Sequence, residues 1–236
     1  MKDEQKNMQK TVLVLFPHSE LGKKIADLFS QNEYRVLIVL SGKKEQKEFR
    51  DAGENVSIFY LQSQPEQFWS SLADDVKKEI LSAPVVIYCA GKDFLKMSST
   101  GKQEEWQIDF RSEPQKRLSF IDQLLSQFSQ NKPDLWINLA VGTTMRHSKA
   151  AAYCKTRYGM IGFSKILELN PKFQGMTIRN ICLSFFRQFH ARKAMDYCTN
   201  CTTNDLRDSL MSLKDEDDLV RYLLKESEDL IHRVES

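Results

Sequence analysis

Three groups of residues in this chain have types and spacings that could do chemistry. Tyr153 and Arg157 stand four apart in a stretch of helical periodicity, so both fall on one helix face. A guanidinium in that place favours a phenolate electrostatically, but it stays protonated and relays no proton. Lys155, two residues beyond Tyr153, points to nearly the opposite face. Cys198-Thr199-Asn200-Cys201 has the gap of half a zinc site. Four ligands would need a second pair of matching spacing, and His190 does not supply it, so no metal is expected. Redox use of the pair would want the cysteines opening a helix after a strand, which the Thr and Asn between them do not support. The third group is Gly22, at the start of a helix that follows an apolar run. A glycine there either lets backbone amides approach a phosphate or lets the helix pack closely on the strand.

The elements that must position these residues alternate along the chain. Val12–Phe16, Tyr34–Leu40, Val56–Leu61, Pro84–Ala90, Leu135–Val141 and Met176–Phe186 read as strands, several of them continuous apolar runs of the kind buried on both faces. Between them, helical spacing marks Leu21–Phe29, Lys43–Ala52, Pro65–Leu81, Leu118–Phe128 and Ala150–Leu169, and the chain from Asp205 onward. This order implies an α/β, Rossmann-like doubly wound parallel sheet of about six strands, with helices on both faces. No Gly- or Pro-rich linker divides it. One domain over residues 11–236 is expected, after a flexible tail over residues 1–10.

Composition excludes several classes. With 34 basic and 32 acidic side chains the net charge is +2, and the cations are interspersed with acids, so no nucleic-acid stripe emerges. The apolar runs are far shorter than the roughly 20 residues that span a bilayer. The start, Met1 to Lys6, carries no apolar stretch of a secretory leader. Five irregularly placed cysteines make a poor disulfide framework. A soluble, cytoplasmic protein that binds neither membrane nor nucleic acid is the expectation.

Tyr153-Cys154-Lys155-Thr156-Arg157, followed by Gly162-Phe163-Ser164, resembles the Tyr-x-x-x-Lys helix of the short-chain dehydrogenase/reductase family. Val85 to Gly91 is similar to that family's strand ending in Asn-Asn-Ala-Gly, with Glu104-Glu105-Trp106 nearby, and Leu135 to Leu139 sits where the strand before the catalytic serine belongs. The resemblance spans roughly residues 11 to 225. It implies a nicotinamide cofactor held by Gly22, Ser41, Lys43, Ala90 and Gly91, and hydride transfer in which Tyr153 exchanges the proton with Arg157 beside it.

Against that pattern, each site is altered. The family's Gly-x-x-x-Gly-x-Gly falls on Phe16, Glu20 and Gly22, so only the last glycine stands. Phe16 puts bulk into a tight turn. A carboxylate at Glu20, about 5 Å from phosphate charge at an effective dielectric near 20, would repel it by about 3 kcal/mol, about two decades of affinity. Glu20 reads more readily as a helix-dipole residue in a loop no longer under phosphate constraint. Ser41, Lys43 and Lys44 replace the acid that an NAD enzyme places after its second strand, which favours the 2′-phosphate form if a nucleotide binds, and the lysines read at least as well as a solvated helix start. Lysine becomes Arg157, and the serine becomes Ala140, with Thr143 and Thr144 nearby at the wrong offset. Arg111 falls near the asparagine position, and Phe185-Phe186 replaces Pro-Gly. The family's final strand is not expected here, so a dimer is expected in place of a tetramer. The expectation is therefore a catalytically impaired relative with no cofactor or weak NADPH, serving as a binding or partner subunit in a homodimer or in a heterodimer with a related reductase. The alternative is a divergent NADPH-dependent ketone or 3-oxoacyl reductase using Tyr153 with Arg157.

Overall fold

The computed structural model describes residues 10–17, 19–42, 49, 53–61, 65–89, 113–128, 132–142, 162–184 and 216–235 of the chain. The apolar runs form strands β1 (Thr11–Leu15), β2 (Arg35–Leu40), β3 (Val56–Tyr60), β4 (Val85–Cys89), β5 (Leu135–Gly142) and β6 (Thr177–Ser184). They make one sheet in the order β3-β2-β1-β4-β5-β6, with every neighbouring pair parallel. Val12 to Leu15 are wholly buried in the interior strand, as a parallel strand covered on both faces must be. This is the doubly wound order, and the direction of winding reverses between β1 and β4.

The helices are α1 (Ser19–Gln31), α2 (Pro65–Ser71), α3 (Asp74–Leu81), α4 (Glu113–Gln127), α5 (162–169) and α6 (Glu216–Glu235). Strand alternation sorts the core into two halves. Val12, Val14, Val36, Ile38 and Ile87 pack under α1 and α6. Leu13, Leu15, Leu37, Val39, Val86 and Trp136 pack under α2, α4 and α5. The sheet is therefore covered on both sides, and no helix among the described residues is long and apolar enough to cross a membrane.

Two helices differ from the sequence reading. Pro65–Leu81 is broken at Leu72 and Ala73, where Ala73 is extended (ψ 152°) and Asp74 and Asp75 open a new first turn. The Ser71 hydroxyl donates to the Phe68 carbonyl at 2.8 Å, satisfying one of the carbonyls left over at the end of α2. The fourth helix starts at Glu113 rather than at Leu118, with Pro114 in its first turn, where a missing N–H costs nothing. At its other end the Lys172 ammonium donates to the Leu125 and Ser126 carbonyls at 2.9 and 2.8 Å. Residues 1–9 of the expected tail, the stretch 43–52 apart from Phe49, the segment 150–161 and residues 205–215 lie outside the described residues.

A buried polar knot fixes α5 to the sheet. Asn138 and Asn180 are register partners on β5 and β6. The Asn138 amide donates to Ser164 Oγ at 2.9 Å and to Asn180 Oδ1 at 3.0 Å, while its own Oδ1 accepts from the Trp136 indole at 2.8 Å. The Ser164 hydroxyl donates to Asn180 Oδ1 at 2.7 Å. Polar groups are tolerated at this depth because each of these contacts answers a desolvated donor or acceptor. Asn138→Ala should destabilise the fold by about 2–3 kcal/mol, since it strands a buried indole N–H and removes the amide that donates to Ser164 Oγ and Asn180 Oδ1. Denaturant unfolding checks it, and a loss below about 0.5 kcal/mol would show the knot to be dispensable.

Candidate functional site

Open parallel sheets bind ligands outside the carboxyl ends of their strands, at the point where the winding reverses. Here that point follows β1 and β4, and the first residue past β1 is Phe16. Strand alternation would send its side chain to the α1 face. Instead its φ is +54°, in the left-handed region that costs a non-glycine residue roughly 1–2 kcal/mol. The turn keeps the backbone paired, because the Phe16 N–H donates to the Val39 carbonyl at 2.8 Å. It also swings the ring onto the α4 face, edge-on to Phe120 at 5.5 Å and to Tyr88 at 6.5 Å between centroids. Phe120 in turn stacks on Trp69 at 5.6 Å. Phe16 is 3% exposed. Burying a phenyl ring among edge-on aromatics offsets the backbone cost.

Gly22, the remaining glycine of the pattern, lies in the first turn of α1. A Cβ there would come within 2.8 Å of the Pro17 ring and 2.9 Å of the Phe49 ring. The space that the missing side chain leaves is taken by this chain's own residues. Of the two roles that the sequence leaves open for Gly22, close packing is the one the geometry displays.

Ser41 follows β2 at the same edge, and a residue that sequence reasoning missed reaches it. Arg117, on α4, donates to Ser41 Oγ at 2.8 Å. Its guanidinium carbon lies 5.3 Å from the Phe16 ring centroid, within cation–π range. Arg117 is 7% exposed. The signal that could have found it is Glu113-Pro114: proline marks a helix start, and a helix from there puts Arg117 on the face of Phe120, Ile121 and Leu124. The described residues thus bring together at this edge a cation, a hydroxyl and aromatic faces, which is recognition chemistry. Burial pushes the hydroxyls of Tyr34 and Tyr222 and the carboxyl of Asp134 upward, with Glu228 and Glu226 adding to the two tyrosines and Lys132 opposing the shift at Asp134. None of the three follows the carboxyl end of a strand.

Ala140 is the sixth residue of β5, opposite Cys182 of β6. Glu20 is the second residue of α1. Tyr153, Arg157, Lys43, Ala90 and Gly91 lie outside the described residues, as do Lys44, Arg111, Thr143, Thr144, Phe185, Phe186, His190, Cys198 and Cys201. Among the described residues, no group of three His, Cys, Asp or Glu is placed to hold a metal. A dinucleotide pyrophosphate held by glycine backbone does not fit what stands after β1: the first position carries a buried ring, and the last is filled by Pro17 and Phe49.

No family model matches the sequence, and no curated protein matches it. Solved structures do. A short-chain dehydrogenase/reductase family oxidoreductase from Aeromonas hydrophila is similar with a TM-score of 0.50 at 14% identity, over 82% of this chain and 93% of that one. A short-chain dehydrogenase from Streptomyces avermitilis gives 0.51 at 12% identity, over 92% and 83%. ElxO with NADP bound gives 0.56 at 17% identity, over 92% and 90%. The chain has the short-chain dehydrogenase/reductase fold. Identities this low carry the architecture alone, so what the fold does here is argued from its own side chains.

Gly22→Ala should lower stability by about 1–3 kcal/mol, the usual cost of overpacking against rigid neighbours. The loss should appear in thermal unfolding without any nucleotide. An unchanged midpoint would return Gly22 to the role of a phosphate-approach glycine.

Proposed function

We infer that this chain is a dehydrogenase-like protein impaired in hydride transfer, whose fold serves as a binding or partner subunit. The observation that carries the reading is Phe16, a buried ring where the chain leaves the central strand for the nucleotide cleft. A cofactor site needs open backbone at that point, and this one is packed. Ala140 supports it from the substrate side. It has no hydroxyl to steady a developing oxyanion, and loss of one such donor costs about 10²–10³ in rate. NADPH and NADH should therefore bind with dissociation constants above the micromolar range, and calorimetry showing micromolar NADPH affinity would overturn the impaired reading.

One observation favours a second reading, that of an NADPH-dependent ketone or 3-oxoacyl reductase working through Tyr153 and Arg157. The Arg117 guanidinium sits beside Ser41 at the end of β2, the kind of place where an arginine can meet a ribose phosphate. The two readings part at Tyr153→Phe. A partner subunit keeps its cellular role without that hydroxyl. Loss of function with fold and assembly intact would make the reductase the better account.

The partner surface we assign is the outer face of α5, toward a second copy or a related reductase. Phe163, Ser164 and Leu167 turn inward, while Ile166 and Leu169 are 67% and 80% exposed. With Gly162 they form a stripe at helical spacing, the pattern of a face made for burial. A stable pairing would bury more than about 1,000 Å² in total. A Cβ at Gly162 meets nothing within 4 Å, so Gly162→Leu should leave the subunit folded and weaken its association in sedimentation. Unchanged association would place the pairing surface elsewhere.

A further inference from the structure

We propose that the outer edge of β6 joins two copies of this chain, strand against antiparallel strand, into one continuous sheet. The inference goes beyond the α5 surface assigned above, because it rests on the backbone of the sheet and not on a helix face.

β6 bonds to β5 through alternate residues. The Thr177 N–H donates to the Asp134 carbonyl at 2.8 Å. Thr177, Arg179, Ile181 and Leu183 therefore turn their backbone groups toward β5, and Ile178, Asn180, Cys182 and Ser184 turn theirs the other way. No strand among the described residues answers that outer row. A row of N–H and C=O groups is a template for another strand, and natural edges are guarded by proline, a bulge, shortness or charge. β6 is eight residues long, contains no proline and keeps unbroken register with β5. Its one charged side chain is engaged elsewhere, since Arg179 pairs with Glu226 of α6 at 3.6 Å. The Asn180 side chain is likewise engaged, by Asn138 and Ser164, so that only its backbone is offered at the edge.

The occupant that this row fits is a second β6. About a twofold axis through Ile181 and normal to the sheet, Ile178 of one copy meets Ser184 of the other, and Asn180 meets Cys182. Each outward residue then finds an outward residue, and the pairs exchange hydrogen bonds. The same axis keeps the two helix layers on their own sides, one reached through Ser164 of α5 and the other through Glu226 of α6. The joined rim is about 26 Å long, and helices about 10 Å across on either side make it roughly 20–30 Å deep. Each copy would cover about 500–800 Å², which meets the total of about 1,000 Å² that a specific contact needs. An extended peptide would fill the row alone and leave the flanking layers uncovered.

The test is sedimentation of the full chain over a concentration series, with hydrogen exchange read at the β6 amides. Cys182→Pro and Ser184→Pro each remove an N–H from the outer row and spare the ladder to β5, and thermal unfolding shows whether the fold is kept. Gly162→Leu reports on α5 separately. The joined sheet predicts a native dimer whose dissociation constant rises by about tenfold or more in both proline variants. It also predicts that the Ile178, Asn180 and Cys182 amides are protected in the dimer and lose protection on dilution to monomer. The exchange measurement needs no substitution, so it decides the matter where a proline variant unfolds. A native dimer weakened by Gly162→Leu alone refutes the edge contact and leaves the α5 surface standing. A native monomer, or edge amides equally protected at every concentration, also refutes the joined sheet, the row then being open or covered within one chain.

Discussion

A parallel sheet with no wet face must find two sets of helices, and that requirement organises this molecule. β1 is hydrogen-bonded to a neighbour on each side and buried above and below. Its four central side chains alternate between the two halves of the core, so neither half closes without it. The geometry at its carboxyl end follows. A chain leaving the middle of such a sheet has to turn at once toward one layer of helices, and whatever side chain stands at that turn faces the space where ligands of this architecture lie. Phe16 turns with a positive φ and gives its ring to the α4 layer. Aromatic packing thus occupies a position that a glycine would have left open.

Much of the architecture is legible in the sequence because burial on both faces leaves a plain trace. Val12-Leu13-Val14-Leu15 and Val36 to Leu40 admit no polar residue, and both are strands. Helix limits are less legible. Phe68, Leu72, Val76 and Ile80 keep helical spacing straight across the break at Ala73, since two helices packed on one sheet face can share a stripe. Apolar periodicity also begins α4 too late, because its first turn is polar and only Pro114 marks it.

The site is less legible than the fold, for a physical reason. The sequence shows that Phe16 stands where a glycine would serve a nucleotide, but a residue name does not disclose its φ or which layer takes its ring. Arg117 is harder still. Charged residues usually lie on solvated faces, and only the contact between α4 and the end of β2 reveals that this one is buried against a ring and a hydroxyl. Such pairs depend on three-dimensional closure and leave no local pattern. Gly22 lies between these cases: its type is informative, and its neighbours Pro17 and Phe49 decide between the two roles that a glycine can have there.

The Asn138–Asn180 pair bears on how the sheet finds its own alignment. Among the described residues, β6 is the last strand in the order and has a single strand neighbour. A one-residue slide of β6 along β5 would flip every side chain to the opposite face. Ile181, now in the α1 and α6 half of the core, would exchange faces with Asn180. The amide would then enter a greasy layer, and the hydrogen bond from Ser164 of α5 to Asn180 would break. The two asparagines therefore work as a ruler: the hydrogen bonds that join Asn138, Asn180 and Ser164 form on the observed alignment of β6 and break when it slides.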